Sequence, residues 1–384
     1  MIRVIHSIPT WLTQTQTWIH TQVDCLPAGE IESHVVCERT ANLDQFPVAH
    51  LHAFGDVSAL GRTWDRGLRR LGARRHLGFQ ARVARKIGAR VMHSHFGNHG
   101  WTDLGAARAA ALRHVVTFYG YDVNALPRRP QWGERIREVL QRADLVLCEG
   151  PHMRRCIVDL GCAEDRVRVH HLGVRLGQLS FRPRSLAEGE PLRVLIASTF
   201  TEKKGIVFAM EALGRLRDEI RFEVTVIGDA RNSDEGRAEK QNILDAIRRC
   251  GLEARVRLLG FQSYEVLLRE MYGHHLLLAP SVTAADGDTE GGAPVTLIEA
   301  AATGMVVVSS RHCDIPNVVL DTETGYLADE RDVDGLVAAL RAATREPDQW
   351  QALLARGRAR VESEFDAVRQ GQRLAAIYRD LAGR

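Results

Sequence analysis

Residues 286–304 read DGDTEGGAPVTLIEAAATG, an acidic, glycine-rich loop that runs into an apolar helical pattern. Pro294 suits the first turn of a helix, and Gly304 suits the position that ends one. A helix beginning near Pro294 presents free N–H groups and a partial positive charge, so the stretch predicts an anion site. Glu299 then lies about a turn and a half inside the helix, where its carboxylate suits the two hydroxyls of a ribose.

Glu290 precedes this helix and could accept hydrogen bonds from a second group of hydroxyls. Gly291 and Gly292 allow the backbone to approach a ligand closely. A diphosphate at the helix N-terminus, with hydroxyls on either side, describes a nucleotide sugar. From the residues alone, a solvated acidic loop that caps an ordinary helix stays open as the alternative.

Short apolar, β-rich runs alternate with amphipathic stretches on both sides of this loop. The predicted strands are 2–7, 91–96, 114–119, 144–149, 166–172, 192–198, 222–228, 255–260, 276–281 and 305–310. Continuous apolar runs indicate strands buried on both faces, and strand–helix alternation indicates parallel sheets. The predicted fold class is therefore α/β, with two Rossmann-like, doubly wound domains facing across a cleft.

The length of 384 residues favours two domains over one hydrophobic core. The polar stretch 180–193 is predicted to be a linker. It separates an N-terminal domain at 1–182 from a C-terminal domain at 190–361. The closing segment 362–384 is helical, and its pattern leaves open whether it packs back on the first domain.

Composition narrows the class of protein. Hydrophobic residues make up 45% and charged residues 26%, as in folded soluble proteins. The sequence has no apolar run of membrane-spanning length, and its first residues lack the apolar middle of a signal peptide. Its seven cysteines are scattered without a CxxC pair, which indicates reduced thiols. We therefore expect a cytoplasmic protein.

Charge is concentrated between residues 62 and 90, where ten Lys and Arg stand against one acid, Asp65. This stretch is either a solvated helix face or a patch that contacts anionic lipid or an anionic acceptor. The second interpretation predicts a peripheral location on the inner face of the cell membrane. No nucleic-acid partner is predicted, because no motif for one accompanies the charge.

The stretch EGGAPVTLIEAAATG resembles the E-G-x-P-x-x-x-x-E-A-x-x-x-G signature of GT-B glycosyltransferases, in particular the retaining family 4. Similar segments follow the family order: TQTQTWIHTQV (13–23), HSHFG (93–97), VVTFYGYDV (115–123), STFTEKKG (198–205), VIGD (226–229), VRLLGF (256–261) and HCDIPNVVLDTETGYL (312–327). The resemblance covers nearly the whole chain. It implies a GT-B fold and a bacterial exopolysaccharide or lipopolysaccharide glycosyltransferase.

The resemblance implies that 1–182 is the acceptor-binding domain and that 190–361 is the nucleotide-sugar-binding domain. It also implies roles for individual residues. Glu299 would bind the donor ribose, Glu290 the transferred sugar, and Lys204 the diphosphate. Further contacts with the nucleotide sugar are implied for Gly291, Gly292, Ala293, Thr296, Thr199 and Gly228. The catalytic set would be Lys204, Glu290, Tyr119 and His95, and the acceptor side would also include Thr15, Gln16 and Asp122.

The implied reaction transfers a sugar from a UDP- or GDP-sugar to a hydroxyl of a glycan or lipid-linked acceptor, with retention of configuration. It needs neither a metal nor a cofactor besides the donor. Three of the departures from the family pattern bear on these roles. Eight residues instead of seven separate Glu290 from Glu299, so Asp288 could take over the role of Glu290. Thr199 replaces an arginine and Tyr119 a histidine.

Alternatives remain at this point. A sugar-nucleotide epimerase on the same fold, a non-enzymatic two-domain sugar binder and a degenerate transferase would each fit the fold. His93, His95 and His99 also invite a metal interpretation, because the first two share a face of a predicted strand. We favour acceptor-side lining for them, because the resemblance implies that purpose for the segment and no carboxylate or cysteine completes an obvious ligand set in the sequence.

Overall fold

The computed structural model describes residues 1–13 and 16–383. The chain divides into two compact units, and the first is discontinuous. Unit 1 comprises 1–175 together with the segment from Asp366 onward, and unit 2 comprises 176–365. The stretch predicted as a linker, 180–193, lies inside unit 2.

Unit 1 is built on one parallel sheet of seven strands. Its elements, numbered along the chain, are β1 (Ile2–Trp11), α1 (Thr17–Asp24), β2 (Ile31–Thr40), β3 (Leu51–Ala53), α2 (Ala59–Arg70), α3 (Gly78–Ile87), β4 (Val91–His95), α4 (Gly97–Ala109), β5 (Arg113–Thr117), α5 (Tyr121–Asn124), α6 (Trp132–Arg142), β6 (Leu145–Cys148), α7 (Pro151–Asp159), β7 (Val167–Val169) and, last in the chain, α15 (Ala367–Ala382). The strand order is β3-β2-β1-β4-β5-β6-β7. The order reverses between β1 and β4, so a ligand crevice is expected beyond the ends of these two strands.

The helix α15 covers part of one face of this sheet. Leu374 and Tyr378 are fully buried against Val4 of β1 and Val91 of β4. Before α15, the chain breaks its helical path at Phe365 and Asp366, and the Asp366 side chain caps α15 by accepting from the Arg369 N–H. The single helix expected over 362–384 is therefore the end of one helix and the whole of another.

Unit 2 is a second parallel sheet, of six strands. Its elements are β8 (Leu192–Ala197), α8 (Ile206–Leu216), β9 (Phe222–Ile227), α9 (Asp234–Arg249), β10 (Val256–Leu258), α10 (Tyr264–Gly273), β11 (Leu276–Ala279), α11 (Val295–Thr303), β12 (Val306–Ser310), α12 (Ile315–Val318), β13 (Tyr326–Ala328), α13 (Val333–Arg345) and α14 (Trp350–Glu364). The strand order is β10-β9-β8-β11-β12-β13. This is the doubly wound order of a dinucleotide-binding sheet, and its reversal lies between β8 and β11.

All ten predicted strands are present, and three further strands were not predicted. Of these, β2 mixes polar residues into its apolar run, while β3 and β13 are three residues long and lie at sheet edges. The predicted α/β class with two Rossmann-like domains is confirmed. Among the described residues, no helix has both the length and the apolar character that a membrane span requires.

Candidate active site

The chain passes close to itself where the strand order of unit 2 reverses. A short 3-10 turn, Glu202–Lys204, follows β8, and Gly205 then adopts a left-handed φ of 64°. A side chain at Gly205 would place its Cβ 1.9 Å from the carbonyl oxygen of Pro280, at the end of β11. Glycine therefore lets the loop that carries Lys204 lie directly against the loop that carries Glu290.

Lys204 and Glu290 form an ion pair at this point. The Nζ of Lys204 lies 2.8 Å from Oε2 of Glu290, and the Glu290 side chain is only 6% exposed. Burial by itself would raise the pKa of Glu290, but the charges of Lys204 and Lys203 and two side-chain hydrogen bonds hold that pKa at about 2. Glu290 is therefore a carboxylate at neutral pH, and its full charge balances Lys204.

Further groups fix the Glu290 loop. The Ser281 hydroxyl donates to Oε1 of Glu290 at 2.7 Å, and the Glu290 backbone N–H donates to Nε2 of His312 at 3.1 Å. The Nδ1 of His312 lies 2.6 Å from Oε1 of Glu330. Because Nε2 accepts, Nδ1 carries the proton and donates it to that carboxylate. His312 follows β12 and Glu330 follows β13, so four neighbouring strands contribute to this edge.

Lys203, the residue before Lys204, pairs with Asp288, which lies two positions before Glu290. Lys203 Nζ lies 3.0 Å from Oδ2 of Asp288 and also donates to the Thr289 carbonyl at 2.8 Å. The extra residue in the loop thus leaves Glu290 facing Lys204, while Asp288 faces Lys203. Each of the two acids therefore forms its ion pair with a different lysine.

Glu299 lies in the middle of α11, where the sequence predicted it. Its side chain is buried, and the Tyr264 hydroxyl donates to Oε1 of Glu299 at 2.9 Å. Burial raises the pKa of Glu299 to about 7, against the lowering effect of that hydrogen bond. The helix begins at Val295, with Pro294 as its N-cap and a left-handed Gly304 as its C-cap. Pro294 therefore stands one position before the helix and not in its first turn.

The other predicted donor contacts surround the same strand ends. Gly291 has a positive φ of 77°, and its N–H donates to the Thr289 hydroxyl. Gly292 and Ala293 lead into α11, and Thr296 lies in its first turn. Thr199 lies two residues after β8, and Gly228 directly follows β9. A Cβ at Gly228 would lie 1.8 Å from the Ser198 carbonyl oxygen, which explains why a glycine stands there. Their part in binding remains a prediction.

In unit 1, His95 and Tyr119 lie at the ends of β4 and β5. The Tyr119 hydroxyl is 2.7 Å from Nδ1 of His95, and Nε2 of His95 is 3.3 Å from Nδ1 of His6. Burial lowers the pKa of His95 well below its ordinary value and raises the pKa of Tyr119 well above its own. Both groups are therefore neutral near pH 7. His95 is fully buried and Tyr119 is partly exposed, so His95 supports Tyr119 from behind.

Asp122 has a structural task that the sequence did not indicate. Its carboxylate is buried and accepts the backbone N–H groups of Gly97, at 2.6 Å, and Tyr119, at 2.9 Å. It thereby joins the loops that follow β4 and β5. Gln16 is the N-cap residue of α1, and its side chain accepts from the Thr13 N–H. Thr15 lies outside the described residues.

The histidines of the HSHFGNH segment separate in the fold. His93 and His95 stack with ring centroids 4.5 Å apart, as their shared face predicted. His99 belongs to α4 and contacts the Ser7 hydroxyl at 3.0 Å instead. The third imidazole of the buried cluster is His6, from β1. His6 could not be identified from the sequence, because only the pairing of β1 with β4 brings it there.

Two family descriptions match the chain. Residues 178–360 match the family described as "Glycosyl transferases group 1", and residues 15–178 match "Glycosyltransferase Family 4". Together they account for most of both units.

Curated relatives agree with these matches. The amylovoran biosynthesis glycosyltransferase AmsK of Erwinia amylovora is 33% identical over 75% of this chain and 69% of its own length. WcaL of Escherichia coli, assigned by its name to colanic acid biosynthesis as a glycosyltransferase, is 30% identical over 83% of this chain and 79% of its own.

Solved structures share the fold over almost the full length. Sucrose-phosphate synthase from Thermosynechococcus elongatus superimposes with a TM-score of 0.78 at 18% identity, covering 99% of both chains. Anabaena HepE, solved in complex with UDP and glucose, gives a TM-score of 0.79 at 15% identity, covering 99% of this chain and 100% of its own. At these identities the likeness shows the fold, and it confirms the predicted GT-B class.

Proposed function

This chain belongs to glycosyltransferase family 4 and is a glycosyltransferase of the exopolysaccharide-biosynthesis type, and from that premise we propose the substrates and the chemistry. The donor is a nucleoside diphosphate sugar, carrying UDP or GDP. The acceptor is a hydroxyl group of a glycan or a lipid-linked glycan. The product retains the anomeric configuration of the donor.

The observation that carries this proposal is the Lys204–Glu290 pair at the β8/β11 reversal, in the loop that leads into α11. Ligands of doubly wound sheets bind beyond the strand ends at such a reversal. The N-terminus of α11 attracts the diphosphate, and Lys204 provides a compact positive charge for it. Glu299 then accepts from the ribose hydroxyls. HepE, which shares the fold, was solved with UDP and glucose, which supports a donor of this class.

The donor changes the environment of Glu290. Without donor, Lys204 and Glu290 neutralise each other. A bound diphosphate attracts Lys204, so that the Glu290 carboxylate can accept hydrogen bonds from the sugar hydroxyls. Because this carboxylate is held ionised, it is a strong acceptor and a poor proton donor near pH 7. Its role is therefore to orient the sugar, not to protonate the leaving group.

The transfer step balances without a protein nucleophile. The bond between the anomeric carbon and the phosphate oxygen breaks, and its electron pair leaves with the diphosphate. The acceptor oxygen forms the new bond on the same face, and its proton passes to the departing phosphate oxygen. Lys204 and the α11 N-terminus stabilise the charge that grows on the diphosphate. This route requires no cofactor beyond the donor.

Tyr119 is the residue of unit 1 that we propose contacts the acceptor. A neutral phenol can donate a hydrogen bond but is a poor base near pH 7. His95 is too deeply buried to touch substrate in this geometry, and we propose that it orients the Tyr119 hydroxyl.

The donor assignment is tested by thermal-shift measurements with UDP-, GDP-, ADP- and dTDP-sugars. A ligand that binds the folded protein raises its melting temperature by mass action, so the true donor should stand out at saturating concentration. Release of nucleoside diphosphate should then depend on added acceptor. Failure of every nucleotide sugar to shift the wild-type protein would refute the donor proposal.

We also propose that α2 binds the membrane that holds a lipid-linked acceptor. Leu60 and Trp64 of α2 and its C-cap residue Leu71 fall within about 40° of one another around the helix axis. They are 86%, 66% and 83% exposed. The same helix carries four arginines, and its acid, Asp65, is buried and paired with Arg82. An apolar stripe with Trp, flanked by arginines, suits the interface of an anionic bilayer.

This proposal predicts co-sedimentation with vesicles that contain phosphatidylglycerol but not with vesicles of phosphatidylcholine alone. Replacement of Leu60 and Trp64 by Ser should abolish it. Phe261→Ser is the matched control, since Phe261 is an exposed aromatic residue of unit 2. Equal binding by the double variant and the control would refute a role for α2.

Among the alternatives, the non-enzymatic sugar binder is set aside, because the family and the named relatives are glycosyltransferases. Nothing among these findings favours the epimerase. An epimerase would convert its nucleotide sugar without any acceptor, so the acceptor dependence of nucleoside diphosphate release separates the two activities.

A further inference from the structure

Four potential metal ligands lie on one face of the β2–β3 edge of unit 1. Val36 pairs with His52 in the parallel register of these strands, so His34 lies beside His50. Side chains alternate along a strand, and Glu32 and His34 therefore share a face with His50 and His52. None of these residues belongs to the candidate active site.

The side chains converge as well as share a face. Nε2 of His34 lies 2.8 Å from Oε1 of Glu32, and the rings of His34 and His50 stack with centroids 4.6 Å apart. One ligand atom from each of Glu32, His34 and His50 lies within 4.8 Å of the others. Ligand atoms of a tetrahedral zinc ion lie about 3.3 Å apart, so small side-chain rotations suffice. His50 is exposed and can make them, and its exposure gives an ion access.

His52 supplies the group that orients a zinc-bound histidine. Its Nε2 lies 3.1 Å from Nδ1 of His34, on the opposite side of that ring from Glu32. Histidines that bind metals usually donate their other ring N–H to such a partner, which fixes the tautomer. With Nε2 of His34 on the metal, its Nδ1–H would donate to His52. Arg3 also contacts Oε1 of Glu32, at 3.2 Å, and would have to release it.

We propose that Glu32, His34 and His50 bind a Zn²⁺ ion, with His52 orienting His34. The set of two imidazoles and one carboxylate is borderline-soft, as zinc prefers, and it leaves a fourth position for water. The ion would tie the residue before β3 to β2. Because β3 is three residues long and lies at the sheet edge, this tie would stabilise that edge of unit 1.

The buried cluster of His6, His93 and His95 fits a metal less well, although its ligand atoms are equally close. Both ring nitrogens of His93 are already engaged, with the Tyr378 and Thr117 hydroxyls at 2.6 Å each. Those of His95 contact Tyr119 and His6. All three imidazoles are fully buried, so an ion would need the fold to open.

The test is a Zn²⁺ titration of the full chain after chelator treatment, followed by calorimetry and by melting temperature. His50→Ala is the main variant, because His50 is exposed and its loss should leave the fold intact. Loss of a residue that only orients a metal ligand lowers metal affinity about 10- to 100-fold. Loss of a ligand should lower it at least as much, so the zinc affinity of His50→Ala and of Glu32→Gln should each fall at least tenfold. His152→Ala is the control, since His152 with Cys156 could offer two ligands on α7.

Cobalt substitution provides a second readout. Co²⁺ bound at this site should show no thiolate-to-metal charge-transfer band, because no cysteine takes part. Zinc affinity that is unchanged in His50→Ala, affinity lost in His152→Ala, or a thiolate band with Co²⁺ would each overturn the proposal. Absence of zinc binding by the wild-type protein at micromolar concentration would overturn it too.

Discussion

Replacement of Glu299 by Gln should stabilise the protein at alkaline pH and weaken donor binding at the same time. The pKa of Glu299 is 4.5 in an exposed chain and about 7 in the fold, mainly because of burial. Between these values the folded state holds a proton that the unfolded chain has lost. The contribution of Glu299 to stability is therefore fully present below pH 4.5 and is lost as pH rises through 7.

The size of the effect follows from the same shift. Each pKa unit corresponds to about 1.4 kcal/mol, so ionising the buried carboxyl costs on the order of 3 kcal/mol at pH 8. Glutamine has the same shape, can still accept from the Tyr264 hydroxyl, and avoids this cost. Urea unfolding at pH 8 should thus show a higher free energy of unfolding for Glu299→Gln, and at pH 4 the two proteins should converge.

Donor binding should move in the opposite direction. A carboxylate that accepts from ribose hydroxyls contributes about 1.5–3 kcal/mol, which corresponds to about 10- to 150-fold in Kd. Calorimetry with the true nucleotide sugar should show this loss in Glu299→Gln at pH 8. Wild-type affinity should fall as pH drops from 8 to 6, because protonation removes the charge, whereas the affinity of the variant should stay flat.

Two results would refute this reasoning. Equal stability of both proteins at pH 8 would mean that ionising Glu299 does not destabilise the folded state. Equal donor affinity at pH 8 would mean that Glu299 does not bind the nucleoside, even if the stability prediction holds.

Two further predictions concern the ion pair and the phenol. Lys204→Ala leaves the buried Glu290 carboxylate without its main partner, so this variant should lower the free energy of unfolding at pH 7 by about 3 kcal/mol and greatly reduce turnover. The double variant Lys204→Ala with Glu290→Gln should regain stability but not activity. A fully active Lys204→Ala protein would contradict the assignment. Tyr119→Phe leaves Nδ1 of the buried His95 without its hydroxyl partner, which should lower the free energy of unfolding by about 1–3 kcal/mol in denaturant titrations and should lower kcat. Tyr119→His, which introduces the residue of the family pattern, should retain turnover. Equal kcat in the Phe variant and the wild type would exclude a contact of the hydroxyl with substrate.

The sequence was sufficient to predict the architecture and the positions of Glu299 and Gly304 in one helix, α11. Apolar runs located ten strands, because strands buried on both faces leave a strong local pattern. Gly304, which the sequence predicted to end this helix, is the left-handed C-cap of α11, and Glu299 lies inside the helix as predicted. The strand β2 escaped prediction, since residues such as Glu32 and His34 interrupt its apolar run.

Contacts between side chains that lie far apart in the chain could not be predicted from the sequence. Tyr264 reaches Glu299 across 35 positions of chain, and Lys204 reaches Glu290 across 86. His312, which contacts the Glu290 backbone, follows β12, and His6, which completes the buried imidazole cluster, lies in β1. Only the sheet order reveals which strands lie beside these two. Asp122 was expected on the acceptor side from its motif, yet its carboxylate is used to join two loops.

The position of α15 has a consequence for synthesis on the ribosome. Unit 2 is continuous in the chain and can fold as soon as it has emerged. Unit 1 begins first but must wait, since the sheet face around Val4 and Val91 stays uncovered until Leu374 and Tyr378 have been translated. The nascent protein therefore carries an exposed apolar surface through most of its elongation.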